Sequence, residues 1–267
     1  MTGPARPLAL VTGASSGIGA YLARELANDG HDLLLVARRA EPMQALANEL
    51  GAGGAQTTIL AADLSTPGAA ARLVQEVGAR ALVIDVLINA AGLGDNGRFD
   101  RSDPARIAEM LQVNVVTLTE LTRLLLPGMV ERGRGKIMLI ASTAAFQPGP
   151  HMAVYCASKA YVLSFGEAIS YELRRTGVTV TTLCPGPTAT EFANTAKAET
   201  STLFRSSLFP VMSAAAVARI GYKGLKTGRR VVITGPFNMV IAVLGRLSPR
   251  AVSMAIGSHL MSPQEPA

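Results

Sequence analysis

Two side chains with complementary proton chemistry stand four residues apart in the run Tyr155-Cys156-Ala157-Ser158-Lys159. Positions four apart share one face of a helix. A phenol has a pKa of about 10 and is a poor base near neutrality, whereas an adjacent ammonium favours the phenolate and lowers that value. Tyr155 and Lys159 are therefore a candidate acid–base pair. Such pairs also arise by chance on helix surfaces, so the weight of this one comes from its placement relative to a second feature.

That feature is Gly13-Ala14-Ser15-Ser16-Gly17-Ile18-Gly19. Glycines let a backbone approach a pyrophosphate, and a helix that starts there presents free N–H groups and the positive end of its dipole. The spacing is GxxxGxG rather than GxGxxG, and a tight strand-to-helix turn also wants glycine. The next apolar run bears on which nucleotide would bind. It ends Val36-Ala37-Arg38-Arg39, with no acid before Glu41 and with Asp32 at its opposite end. An acid at the carboxyl end would hold ribose hydroxyls, as NAD sites require. An arginine there suits a 2′-phosphate through its planar fork. The competing reading leaves Arg38 and Arg39 as solvated loop charges. Asp63-Leu64 closes the third strand, where the acid could reach an adenine amine.

The elements that must position these residues are strand-length apolar runs alternating with helix-length amphipathic segments. That pattern predicts a parallel sheet covered on both faces. Strands are expected at 7–12, 33–37, 57–61, 82–88, 136–141, 178–183 and 231–234, and helices at 16–29 and 41–50. Two longer helices are expected at about 104–131 and 153–176, each packing on the sheet or supplying an oligomer surface. The predicted fold is α/β: a single doubly wound Rossmann-like domain over 1–267, a seven-stranded parallel sheet flanked by helices. The glycine loop then falls at the first strand-to-helix turn. Asn89-Ala90-Ala91-Gly92 follows the fourth strand, Asn114 lies within a long helix, and Ser142 follows the fifth strand. The aperiodic stretch at about 189–212 is expected to be a substrate lid.

Composition narrows the function classes. With 49% hydrophobic residues and 26 glycines of no fixed period, the chain is neither disordered nor a repeat protein. No run of about 18 uncharged apolar residues exists, so no spanning helix is expected, and the start MTGPARPLALVTG does not read as a secretory signal. The net charge of +6 is spread over small groups, aromatics are 4% and Trp is absent, which argues against a nucleic-acid binder and for a diffuse field that favours anionic ligands. Cys156 and Cys184 form neither a disulfide framework nor a metal-ligand spacing, so no metal is expected and a cytoplasmic location is.

Taken together, TGASSGIG at 12–19, DL at 63, NAAG at 89, Asn114, Ser142, YCASK at 155 and PGPT at 185 resemble the short-chain dehydrogenase/reductase family, in its order and spacing, over roughly 8–188. The resemblance implies hydride transfer between NAD(P) and a carbonyl or alcohol. It makes Tyr155 the general acid/base, and Lys159 the residue that lowers the phenol pKa and binds the nicotinamide ribose. Ser142 becomes the holder of the substrate oxygen, and Asn114 the holder of a water linking Lys159 to solvent. Gly13, Ser15, Ser16, Gly17, Ile18, Gly19, Arg38, Arg39, Asp63, Leu64 and Ala90 would bind the nucleotide, with Asn89 and Gly92 also in that site, stabilising the central strand edge beside the adenosine ribose. Pro185, Gly186 and Thr188 would border the nicotinamide. Arg38 stands where NADP-preferring members carry a basic residue, so NADP(H) is expected over NAD(H). A homodimer or homotetramer is implied, with the helices at 104–131 and 153–176 in one interface. Ile88 and Ala141 stand where asparagine and serine are common, and neither removes a group from the chemistry.

Beyond Thr188 no diagnostic substrate signature is present. Ser142, Phe146, Tyr155 and Phe192 are the candidate substrate contacts. Leu93, Phe99, Phe146, Met152, Phe192, Phe204 and Phe209 together suggest an apolar pocket at one end of the sheet. His151 reads as a cap or loop residue, and the two cysteines as buried. The apolar tail at 236–261 carries Arg246, Arg250 and His259. It either packs on the domain or a subunit, or lies on a membrane surface, with Pro249 breaking any long interfacial helix. The leading reading is an NADPH-dependent reductase of a ketone or 3-oxoacyl group on an apolar substrate. The alternatives are an NAD(P)⁺-dependent dehydrogenase of a secondary alcohol and a non-catalytic NADP-binding sensor; the intact Ser142, Tyr155 and Lys159 argue against the sensor.

Overall fold

The computed structural model describes residues 6–196 and 210–262. Alternation sets its architecture. In β1 (Leu8–Thr12) and β2 (Asp32–Ala37), Ala9, Val11, Leu33 and Leu35 face one layer of helices, whereas Leu10, Leu34 and Val36 face the other. A strand buried on both faces must be apolar throughout, which is why these runs are continuous rather than alternating. The remaining strands of the main sheet are β3 (Thr57–Ala61), β4 (Ile84–Asn89), β5 (Gly135–Ile140), β6 (Val178–Cys184) and, later in the chain, Val231–Ile233. All seven expected strands are present, in the order β3-β2-β1-β4-β5-β6 and then Val231–Ile233 at the edge, every pair parallel.

The helices α1 (Gly17–Asn28) and α2 (Ala40–Ala52) cover one face. On the other lie α3 (Ala69–Ala79) and the run α4 (Pro104–Leu111), a π-helical segment (Gln112–Thr117) and α5 (Leu118–Glu131), followed by α6 (Ala153–Glu172). Asp103 starts α4 by accepting the Ala105 N–H, with Pro104 in the first turn where its missing N–H does no harm. The run 104–131 is long and apolar enough to cross a membrane, at mean hydropathy 1.2, and α5 packs on α3, β4 and β5. The sequence pattern did not show its π-helical turn. The chain order reverses between β1 and β4, so a crevice opens at the carboxyl ends of those strands. Thr12 ties that switch point together: its hydroxyl donates to the Ile88 carbonyl (3.3 Å) and accepts from the N–H groups of Ala90 and Ala91, both at 3.1 Å.

After β6 the chain forms β7 (Thr188–Ala189), α7 (Glu191–Thr195), β8 (Met212–Ser213) and α8 (Ala214–Lys226). β7 and β8 pair in parallel. The expected lid at 189–212 is thus partly a two-stranded ribbon and a short helix; its residues 197–209, with Phe204 and Phe209, lie outside the described residues. The sheet's edge strand, β9 (Val231–Ile233), leads to α9 (Pro236–Leu247) and α10 (Arg250–Met261), which are split at Pro249 as expected. One side of this hairpin folds back onto the domain. Asn96 donates to the Met261 carbonyl (3.1 Å), and Met261 packs with Met110, Met152, Tyr155 and Cys156. Its other side leaves Val240, Val243, Leu244 and Leu247 exposed.

Candidate active site

The carboxyl ends of the strands frame a cleft of about 710 Å³. Its floor on one side is the glycine loop. Gly13 and Gly17 have φ of 66° and 55°, the left-handed region that glycine adopts without strain. A Cβ on Gly13 would lie 2.7 Å from the Ala91 nitrogen, and one on Gly19 would collide with the Gly13 carbonyl. Ser16 precedes α1 in extended conformation and its side chain caps none of the helix amides. The first-turn N–H groups are therefore available to an anion in the cleft. Ser15, Ser16, Gly17, Ile18 and Gly19 line this part together with Arg38, Arg39, Asp63, Leu64, Ala90 and Gly92.

The charged residues there are poised differently. Asp63 accepts from the Ser65 N–H (3.0 Å) and hydroxyl (2.7 Å), and these bonds, with a smaller attraction from Arg38, hold its pKa below the usual carboxylate range. Arg38 makes no side-chain hydrogen bond or ion pair among the described residues. Arg39 reaches across the cleft to Glu191 of α7 at 2.7 Å.

On the other side Ser142, Tyr155 and Lys159 converge. Ser142 ends β5's extension in extended backbone; its hydroxyl accepts from the Ala144 N–H (3.1 Å), donates to the Pro185 carbonyl (3.4 Å) and faces the Tyr155 phenol. Tyr155 and Lys159 share a face of α6 as their spacing predicts, with Nζ 5.7 Å from the ring centre. Both are buried, at 9% and 4% exposure. Burial pushes the phenol pKa well above its ordinary value, against a smaller lowering by Ser142, and brings Lys159 down to about 8. Desolvation, absent from any spacing argument, is the largest cause of both shifts. Lys159 Nζ donates to the Ile140 carbonyl at 2.8 Å.

Asn114, in the π-helical turn, is wholly buried. Its Oδ1 accepts from the Leu93 N–H (2.8 Å), while Nδ2 donates to the Leu93 carbonyl (2.9 Å) and to Ser158 (3.0 Å). It borders the cleft from behind rather than lining it. Gly92 keeps a gap open there, since a Cβ on it would sit 3.4 Å from Lys159 Nζ and 3.6 Å from Asn114 Oδ1.

Two further expected contacts fall outside the lining. Asn89 turns away from the cleft and donates to the Thr122 hydroxyl of α5 (3.0 Å). Phe146 packs in the sheet-side core beneath the Arg246 guanidinium, which sits 5.1 Å from its ring. Pro185, Gly186 and Thr188 line the cleft as expected. Phe192 does too, its ring 5.3 Å from that of Tyr155. Leu93 and Met152 join it, whereas Phe99 is exposed at 66%. His151 is a loop residue with φ of 66°, its carbonyl accepting from Gly97. Sequence reasoning missed the wall supplied by the tail: Phe237, Asn238 and Ile241 of α9, with Leu260 and Met261 of α10. Asn238 is locked by donating to Thr234, and Gly186 is glycine because any Cβ would strike Asn238.

Residues 7–201 match the family model described as short chain dehydrogenase. A ketoacyl reductase of Nostoc sp., HetN, is 32% identical over 249 residues, which is 91% of this chain and 85% of that protein. A solved short-chain dehydrogenase from Sphingobium yanoikuyae, in complex with NADPH, superposes with a TM-score of 0.78 at 34% identity, covering 85% of this chain and 87% of that one. The bulky-bulky ketone specific alcohol dehydrogenase from Comamonas testosteroni gives a TM-score of 0.75 at 27% identity, over 92% of this chain and 96% of that one.

Proposed function

The chain belongs to the short-chain dehydrogenase/reductase family and is an NAD(P)-dependent oxidoreductase, and from that premise we propose that it reduces the carbonyl of an apolar ketone or 3-oxoacyl substrate with NADPH, Tyr155 supplying the proton. The observation that carries the reading is the convergence of Ser142, Tyr155 and Lys159 on one wall of a cleft whose facing wall is an uncapped helix N-terminus. Solved and curated relatives that act on ketones or ketoacyl groups support the substrate class.

The residues present fit the nucleotide. The glycine loop and the free amides of α1 form an anion cradle, and Arg38, with no ion pair among the described residues, stands at the end of β2, where a 2′-phosphate would be read. When bound, NADPH supplies the hydride. The protein's part is to hold the carbonyl and handle the proton. Ser142 and Tyr155 face one another, so a carbonyl oxygen between them accepts two hydrogen bonds that strengthen as negative charge develops on it. A phenol kept protonated by burial is a donor throughout the neutral range, as a general acid must be. Lys159 holds the next proton, and a water in the gap beside Gly92 would join it to Asn114 Oδ1, which as a two-lone-pair acceptor uses one pair on Leu93. Leu93, Met152, Phe192, Ile241, Leu260 and Met261 give the substrate half its apolar walls.

Tyr155→Phe keeps the ring and removes the donor. Turnover of a ketone panel with NADPH should fall at least about 100-fold while nucleotide affinity stays nearly unchanged; near-normal turnover would remove Tyr155 from the mechanism. A homo-oligomer belongs to the same proposal. Leu111, Val116, Leu124 and Val130 are exposed on the helices at 104–131, as are Tyr161 and Tyr171 on α6. Tyr161 and Thr119 join the two helices by a 3.0 Å hydrogen bond. Two buried free thiols suit a reducing cytoplasm, where we place the enzyme.

A further inference from the structure

Arg38 and Arg39 are neighbours in the sequence with opposite situations in the structure. Arg38 has no ion pair among the described residues, whereas Arg39 is held by Glu191 at 2.7 Å. Both members of that pair line the nucleotide cleft, from opposite walls. Arg39 stands at the end of β2, and Glu191 opens α7 directly after Thr190. Thr190 itself lies over the glycine loop, since a Cβ on Gly17 would meet its methyl at 3.3 Å. The pair therefore crosses the cleft above the loop that would hold the pyrophosphate. On the far side of Glu191, Phe192 packs on the Tyr155 ring and against Gly94. One short helix thus touches the nucleotide end of the cleft with a carboxylate and the reaction end with a ring.

A 2′-phosphate bound by Arg38 would arrive beside Arg39, already neutralised, and close to the Glu191 carboxylate. We propose that the Arg39–Glu191 ion pair is a strap across the nucleotide cleft, that a 2′-phosphorylated nucleotide opens it by taking Arg39 from Glu191, and that Glu191 thereby limits how strongly this chain prefers such nucleotides. This rests on the reading that the cleft holds NADP(H). A nucleotide without the 2′-phosphate presents nothing to compete for Arg39, so the strap stays closed over it. Glu191 is a positioning and discriminating residue, not a catalytic one. The pair is more than half exposed on each side, 55% and 59%, so the competition it offers is modest: about two- to fivefold in affinity at low salt, the range of exposed ion pairs.

The test uses 2′,5′-ADP and 5′-ADP as probes, titrated calorimetrically into the whole chain. Glu191→Gln should tighten 2′,5′-ADP by about two- to fivefold and leave 5′-ADP unchanged or weaker. Arg39→Gln should weaken 2′,5′-ADP, and adding Glu191→Gln to it should then change little. At about 1 M salt, where the Debye length is ~3 Å, the gain should vanish. If wild type binds the two probes alike, the 2′-phosphate reading fails and the strap with it. If wild type discriminates but Glu191→Gln shifts both probes equally or neither, the strap alone is overturned.

Discussion

Lys159→Met isolates what the fold does to the buried lysine. Burial brings its pKa from 10.5 to about 8, so below about pH 8 the folded chain carries a poorly solvated ammonium that unfolding would return to water. Between about pH 8 and 10.5 the unfolded chain keeps a proton that the folded chain has lost. Stability therefore rises with pH across that window by this group. At about 1.4 kcal/mol per pH unit the full effect is about 3 kcal/mol. Methionine keeps an apolar stem of similar length but leaves the Ile140 carbonyl without its 2.8 Å donor, a loss of about 1–3 kcal/mol. At pH ~7 the two effects nearly offset, and the variant should be as stable as wild type or up to about 2 kcal/mol more stable. By pH ~10 wild type should have gained about 2–3 kcal/mol on the variant. The Cys156 thiol, pushed up to about 12 by burial, destabilises both proteins alike in alkali and cancels in the comparison, whereas Cys184, also pushed up to about 12 by burial and drawn slightly down by Lys159, cancels only in part. Urea unfolding of both chains at the two pH values measures the difference. Parallel pH profiles would show that Lys159 is solvated in the folded chain and would refute the argument.

Three other outcomes are expected. Arg38→Asp removes a charge-assisted contact of about 1.5–3 kcal/mol and offers an acceptor to ribose hydroxyls, so the NADPH to NADH ratio of kcat/KM should fall about 10- to 150-fold; an unchanged ratio would make Arg38 a solvated loop charge. Asn114→Ala leaves the part-buried Leu93 N–H and carbonyl without their partner and should destabilise the chain by about 1–3 kcal/mol in a urea melt. Light scattering at micromolar concentration should show a dimer or tetramer, and a monomer alone would overturn the assignment of the exposed apolar face on the 104–131 helices.

What the sequence made legible follows from where each constraint is local. The sheet could be read because a strand buried on both faces must be apolar at every position, and its boundaries were off by only a residue or two, as at β4, expected over 82–88 and found at Ile84–Asn89. The glycine loop and the Tyr155–Lys159 face are likewise fixed within one turn of chain. The π-helical turn at Gln112–Thr117 is not, because Asn114 is held there by Leu93 and Ser158, partners remote in sequence. Nor was the tail wall, where Met261 reaches Tyr155 across more than a hundred residues. Asn89 is a different case. Val86 and Ile88 face the α1 layer while Leu87 faces the other, so the period of two sends Asn89 to the side of Leu87, toward Thr122. Its direction was readable from strand parity; the motif's usual role obscured it.

The burial of Tyr155 and Lys159 orders the proton chemistry of the pair. In water a lysine and a tyrosine have nearly equal pKa values, so neither has a settled claim on a shared proton. In the cleft, desolvation acts on the charged form of each, which is the protonated lysine and the deprotonated tyrosine. The lysine falls to about 8 and the tyrosine rises above its ordinary value. Lys159 thus becomes the stronger acid of the two. In the proposed reduction, a phenol that has given its proton to the substrate oxygen is refilled downhill from Lys159. Among the described residues Lys159 Nζ bonds to the Ile140 carbonyl and not to the phenol, so a bridging hydroxyl or water must carry the proton. Oxidation of an alcohol would run the same path uphill at neutral pH and gain as the pH passes about 8, where Lys159 can accept. Near neutrality a reduction therefore starts with both Tyr155 and Lys159 protonated.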